Sequence, residues 1–238
     1  MAPQRVRRFG PTEIAYHWAQ ALPYLLLLAS GATLLVARMR GLDPELREQA
    51  RSLHLLFALA QVSLPALVFM FGDRAALLSN VREALRWGPS DLRWLTVMHL
   101  KPFFPGLQPP PVGKFNPGQK VNVLLTLVGI PALAASGLVM WLLPGVLLAW
   151  YVHVGVLALM GPMLGVHLFM ALINPSTRVA LPAVFSGRVP REYAAHHHGA
   201  WLAEVEGTSP PPDPRPAPVP RAPHRGALPC SPSATACS

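Results

Sequence analysis

The chain has 238 residues, of which 52% are hydrophobic and 13% charged, and its formal net charge is +9. That charged share is about half of what an average soluble domain carries, which argues against a water-soluble core and for a lipid environment. The positive charge does not point to nucleic acid either, because the basic residues gather on particular connections between apolar runs instead of forming one continuous basic surface.

Four continuously apolar runs, over about 14–37, 53–72, 120–143 and 147–173, each approach the ~20 residues that a helix needs to cross a bilayer. Between Val121 and Thr177 there is no Asp, Glu, Lys or Arg, and Pro144 and Gly145 divide that stretch into two spans. Continuous runs favour helices; a membrane barrel would show short alternating segments. The first run is long and opens with His17 and Gln20, unlike a removable signal peptide. The expected fold is an all-α integral membrane protein, a four-transmembrane-helix bundle.

The connections fix the topology. Arg5, Arg7 and Arg8 precede the first run, seven basic residues from Arg74 to Lys120 lie between the second and third, and Arg178, Arg188 and Arg191 follow the fourth. The opposite side has only Arg38, Arg40, Arg47 and Arg51, within "RMRGLDPELREQAR", which reads as a solvated loop. The positive-inside rule then puts both termini on the cytoplasmic side of the membrane. In the cytoplasmic loop, "RAALLSNVREALRW" has the pattern of a helix lying on the membrane surface, and "PFFPGLQPPPVGKFNPGQK" is turn-rich. Asn174 and Pro175 stop the last helix. Residues 1–203 form the membrane domain; residues 204–238 read as a disordered proline-rich tail, in which Cys230 and Cys237 are free thiols. No internal repeat stands out beyond similar helix lengths.

Four of the nine histidines, His17, His54, His153 and His167, fall in or at the apolar runs. An ionisable ring in a spanning segment is a functional hypothesis by default. His153 and His167 are fourteen residues apart, which is about 21 Å along a helix and about 40° around it, so both lie on one face at two depths. With the amino terminus inside, His17 and His167 share the inner depth, and His54 and His153 share the outer one. Two facing histidine pairs suit two haem b groups with bis-histidine ligation. Tetrahedral zinc is the competing metal, but it usually takes three or four protein ligands, and two histidines per depth fall short; histidines hydrogen-bonded to neighbouring helices remain the plainer alternative. Gly31, Gly129, Gly137, Gly155, Gly161 and Gly165 would admit a flat macrocycle, or serve ordinary helix packing. Met160, Met163 and Met170 read as apolar core, with axial ligation the alternative; His99, His196, His197 and His198 read as solvated, with proton relay, metal binding or partner contact as the alternatives.

Over roughly residues 8–201 the chain resembles the cytochrome b556 (gamma) subunit of membrane-bound formate dehydrogenase, within the bacterial di-haem cytochromes b. The likeness rests on "RFGPTEIAYHW", on "KFNPGQKVN" before the third span, on the fourteen-residue histidine spacing and on "NPSTRVALPAVFSGRVPREYAAHHHGAW" after the fourth. Ile14, Phe169 and Tyr193 stand where that family commonly has Arg, Tyr and Trp. The resemblance implies an electron-transfer subunit that is not itself catalytic toward formate. It implies an iron–sulfur partner subunit, which links to a molybdenum or tungsten catalytic subunit. It also implies a quinone, menaquinone or ubiquinone, bound near Asn116, Gly118 and Gln119 on the cytoplasmic side beside His167. By their own chemistry those three residues read as a helix-start turn whose amides could hydrogen-bond a quinone carbonyl.

Overall fold

The computed structural model describes residues 4–41 and 43–213 of the chain. Four long helices carry the apolar runs: α1 (Pro11–Arg40), α2 (Pro44–Phe71), α5 (Pro117–Leu142) and α6 (Leu147–Leu168). All four are long and apolar enough to cross a membrane, counting a helical continuation of α6 to Ile173. They turn large apolar side chains outward, among them Val128 at 69% exposure and Leu148 at 72%. In water such a surface would aggregate; in lipid it is the solvated face, because acyl chains are as apolar as leucine.

Local chemistry sets the ends. α1, α2 and α5 each begin on proline, whose missing N–H costs nothing in a first turn. α1 closes on Gly41 in the left-handed region at φ 62°, a conformation open to glycine at little cost. Each spanning helix also contains an interior proline: Pro23, Pro65, Pro131 and Pro162. α1 pairs with α2 and α5 with α6 as antiparallel hairpins. The short connections between α1 and α2 and between α5 and α6, the latter residues 143–146, lie at one end of the bundle, here the turn end. The opposite, broad end carries the start of α1, the helices α3 (Arg74–Leu85) and α4 (Pro89–Leu100), and everything after α6.

Three features depart from the expected outline. The connection read as a loop is helical from Pro44 onward, because Asp43 caps it by accepting a hydrogen bond from Glu45 N at 3.2 Å and Glu48 pairs with Arg51 one turn along. The segment 73–119 holds a second helix, α4, started by a bond from Gly88 N to Asp91 Oδ2 of 2.9 Å. The fourth span ends in a wider π-type turn, Phe169–Ile173, which starts two residues after His167 and runs up to Asn174.

The broad end has a small cap with a conventional core. Strands β1 (Arg5–Arg7) and β2 (Arg188–Pro190) pair antiparallel with Val6 opposite Val189. Helices α7 (Ala183–Ser186), α8 (Arg191–His197) and α9 (Gly199–Glu206) follow the chain around them. Ala183, Val189, Tyr193, Ala194, Trp201 and Leu202 form the buried cluster. α9 continues past residue 203, where the tail was expected to begin; the remainder of that tail beyond residue 213, with Cys230 and Cys237, lies outside the described residues.

Polar contacts lock the cap and the connections to the spans. Arg8, 7% exposed, donates to the Lys114 carbonyl at 2.5 Å and to Gln119 Oε1 at 3.3 Å. Burial pulls its pKa down to about 10, opposed by the neighbouring Tyr193, so it remains charged at neutral pH. Lys114 Nζ bridges Glu13 Oε1 and Asn80 Oδ1, both at 2.7 Å, joining α1, α3 and the loop before α5. At the head of α5, buried Lys120 donates to the Arg86 carbonyl at 2.7 Å and to Asp91 Oδ1 at 3.0 Å. Removing one partner of a buried ion pair leaves the other charge unpaired, so Asp91→Ala is expected to cost about 3 kcal/mol, seen as a lower melting temperature in detergent.

His198 is fully buried, its Nδ1 is 3.0 Å from the Gly113 carbonyl, and its Nε2 has no partner among the described residues. Burial first, then the positive charge of Arg8, pushes its pKa down to about 3, against the pull of the Gly113 carbonyl and with a further push from His197. The folded state therefore stays unprotonated there while the unfolded chain takes up a proton below its ordinary value near ~6.5. Cap stability is expected to be full above that pH and to fall as pH drops toward 3. Hydrogen exchange of residues 188–206, corrected for intrinsic rates, should accelerate on acidification, and His198→Asn should weaken that dependence.

Candidate haem sites

The four histidines meet as two pairs. His17 on α1 faces His167 on α6, with ring centres 6.4 Å apart, and His54 on α2 faces His153 on α6, again at 6.4 Å. The first pair lies at the broad end and the second toward the turn end, so α6 contributes one ring to each. An imidazole on either side of one metal atom, with metal–nitrogen bonds of about 2 Å and a ring radius of about 1.2 Å, puts ring centres about 6.4 Å apart. Both pairs therefore have the separation that a shared axial metal requires. Among the described residues no three of His, Cys, Asp and Glu converge as a metal cluster. A donor set of two imidazoles suits haem iron, whose other four ligands come from the macrocycle, and does not suit tetrahedral zinc.

The turn-end pair is built twice over from the same parts. In α1, Ala29-Ser30-Gly31 backs His54; in α5, Ala135-Ser136-Gly137 backs His153. Ser30 Oγ lies 2.9 Å from His54 Nδ1, and Ser136 Oγ lies 3.0 Å from His153 Nδ1. Each serine hydroxyl also donates to the carbonyl four residues earlier, to Leu26 at 2.8 Å and to Ala132 at 2.7 Å. Each histidine has a second backbone acceptor three residues before its serine: Leu27 for His54, and Leu133 for His153 at 3.1 Å. A carbonyl only accepts, so Nδ1 must carry the hydrogen in both rings. That leaves Nε2 of each as the lone-pair nitrogen for a metal. Gly31 and Gly137 complete the cradles, since a Cβ there would stand 3.2 Å from His54 Cε1 and 3.3 Å from His153 Cε1.

The broad-end pair is made differently. His17 packs edge-on against Trp18 at 5.5 Å between ring centres. Trp18 is itself held by a bond from Nε1 to the Val184 carbonyl at 2.9 Å and by stacking on Phe185 at 5.2 Å. Among the described residues no hydrogen bond fixes either His17 or His167, and His167 is exposed on α6.

The remaining residues singled out in the sequence sort by contact. Gly129 receives the sulfur of Met160, which is helix packing and places Met160 in the apolar interior. Gly155, Gly161 and Gly165 have open space where a side chain would stand. Asn116 and Gln119 form a reciprocal cap on α5: Gln119 N donates to Asn116 Oδ1 at 2.9 Å, and Asn116 N donates to Gln119 Oε1 at 3.1 Å. Their acceptor oxygens are thus engaged, Gln119 additionally by Arg8, and among the described residues their amide NH2 groups remain as donors. Gly118 sits beside them, near Trp94. His99 lies exposed on α4 with Nδ1 2.7 Å from the Leu95 carbonyl. The expectation of a solvated run at 196–198 is corrected for His198, which is fully buried in the cap while His196 is exposed. Ser30 and Ser136 were not among the sequence candidates; the repeated Ala-Ser-Gly triplet was their signal.

The two pairs, spaced for metal and set in a lipid-facing bundle, agree with the comparisons to known proteins. A family model described as prokaryotic cytochrome b561 matches residues 8–187, and no curated protein matches the chain. The chain belongs to the prokaryotic cytochrome b561 family, and with it to the haem b-binding membrane proteins of electron transfer.

Proposed function

We propose that this chain is the di-haem b membrane subunit of a respiratory formate dehydrogenase, passing electrons from an iron–sulfur subunit to the quinone pool. The observation that carries the reading is the pair of histidine couples, each 6.4 Å between ring centres, at opposite ends of one bundle. Bound haem b supplies one-electron redox chemistry at each couple. The chain's own residues would do the rest: His54 and His153 would hold the outer group, His17 and His167 the inner one, and the apolar helices would keep water from both. Two histidines per group would suit electron transfer rather than binding of oxygen or substrate.

The directional part of the reading follows from charge. The basic residues around the broad end favour the cytoplasmic side, so the turn end faces out and meets the iron–sulfur subunit. The free amide donors of Asn116 and Gln119 are chemically suited to a quinone carbonyl at the broad end. Electrons entering outside and protons taken up from inside would make each turnover add to the membrane potential. A second reading, a stand-alone quinol-oxidising cytochrome of the b561 type, is equally compatible with the family match; the cytochrome b of a hydrogenase or of a thiosulfate or polysulfide reductase is the nearest variant of the first.

A dithionite-reduced minus oxidised spectrum of the purified chain, with a haem assay, is expected to show b-type bands and two haems per chain. His153→Ala should remove one haem and leave the other, whereas no haem, or one haem in the parent protein, overturns the site assignment. Mild detergent extraction should co-purify a molybdenum or tungsten enzyme with formate-dependent haem reduction. Quinol-linked activity in the chain alone, with no such partner, decides for the stand-alone cytochrome.

A further inference from the structure

The two histidine couples differ in how their rings are held, and that difference has a chemical consequence for what they bind. At the turn end, both Nδ1–H groups donate to oxygen: His54 to Ser30 Oγ and His153 to Ser136 Oγ, each with a backbone carbonyl alongside. Each serine is itself polarised, because its own hydrogen is committed to the carbonyl four residues back. At the broad end, no described group accepts from His17 or His167. A ligating imidazole that donates through its other nitrogen is a stronger base toward the metal, and a stronger base favours the more highly charged, oxidised iron.

We infer that Ser30 and Ser136 are positioning residues that set the redox potential at the turn end, holding it below the potential at the broad end. The inference rests on the haem reading above. It assigns no catalytic step to the serines; they act only through His54 and His153. The matching of the two cradles argues for a device rather than an accident of packing, since the same triplet, the same two acceptors and the same close glycine recur on α1 and α5.

The test is a potentiometric titration of the haem-loaded full-length chain, followed by optical and electron paramagnetic resonance spectra. The component missing from His153→Ala identifies the turn-end haem, which is expected to be the lower-potential one in the parent protein. Ser30→Ala and Ser136→Ala should each move that midpoint upward, the double variant further, with the other midpoint unmoved and two haems still bound. Ser30→Thr and Ser136→Thr, which keep the hydroxyl, should restore it and its low-spin signal. Two bound haems with unshifted midpoints, or a shift confined to the broad-end component, overturns the role of the serines while leaving the haem reading intact. Absence of haem from the parent protein is the distinct failure of that underlying reading.

Discussion

A polar group inside a bilayer has no water to fall back on, and most of this molecule follows from that constraint. The four spanning helices satisfy their own backbones, so the cost concentrates on the few polar side chains that they carry inward. Nδ1 of His54 and of His153 is answered by serine and carbonyl oxygens from the neighbouring helix. Gln61, 5% exposed, donates to Gln20 across α1 and α2, and Gln20 reaches Tyr16 at 3.3 Å. Among the described residues Tyr24 OH and Gln61 Oε1 stay without a partner in the spans, so what marks the histidines as ligands is not an unmet hydrogen bond but their meeting as two couples 6.4 Å between ring centres.

The broad end obeys a different rule. There the chain leaves the hydrocarbon and can bury apolar residues conventionally, so Val189, Tyr193 and Trp201 form a small core under a two-stranded sheet. Arg8 links this cap to the start of α5, and Lys114 links α5's approach to α1 and α3. Because His17 lies only two turns into α1 and His167 at the end of α6, these ties restrain the helix ends that present the broad-end couple. Trp18, anchored to Val184 and Phe185, extends the same restraint directly to the neighbour of His17.

The spans and the depth pairing of the histidines were legible in the sequence, because apolar run length and alternating topology determine both with little help from packing. The helical start at Pro44 was also written there, in Asp43 and Glu45, but a mixed-charge stretch hides such a cap. α4, as long as α3, was not legible because Leu92, Trp94, Leu95, Val97, Met98 and Leu100 fall all round it and form no stripe; the short elements of the cap are too short to show a period, and distant residues hold them. Ser30 and Ser136 illustrate the same limit at the site. Serine in a spanning helix is ordinary filler by composition, and it acquires a role only when a second helix sets a histidine 3 Å away. The amides of Asn116 and Gln119 show the converse, since a motif notable as sequence turns out to use its oxygens for capping.

α6 touches both couples, and its continuous helical run from His153 to His167 makes it a ruler shared by two otherwise separate sites. Its partners, by contrast, are split between α1 and α2. Inserting or deleting a single residue between the two histidines would turn one ring about 100° away from its partner while leaving the other couple seated. The fourteen-residue interval therefore constrains the length of α6 between the two couples, whatever side chains line it.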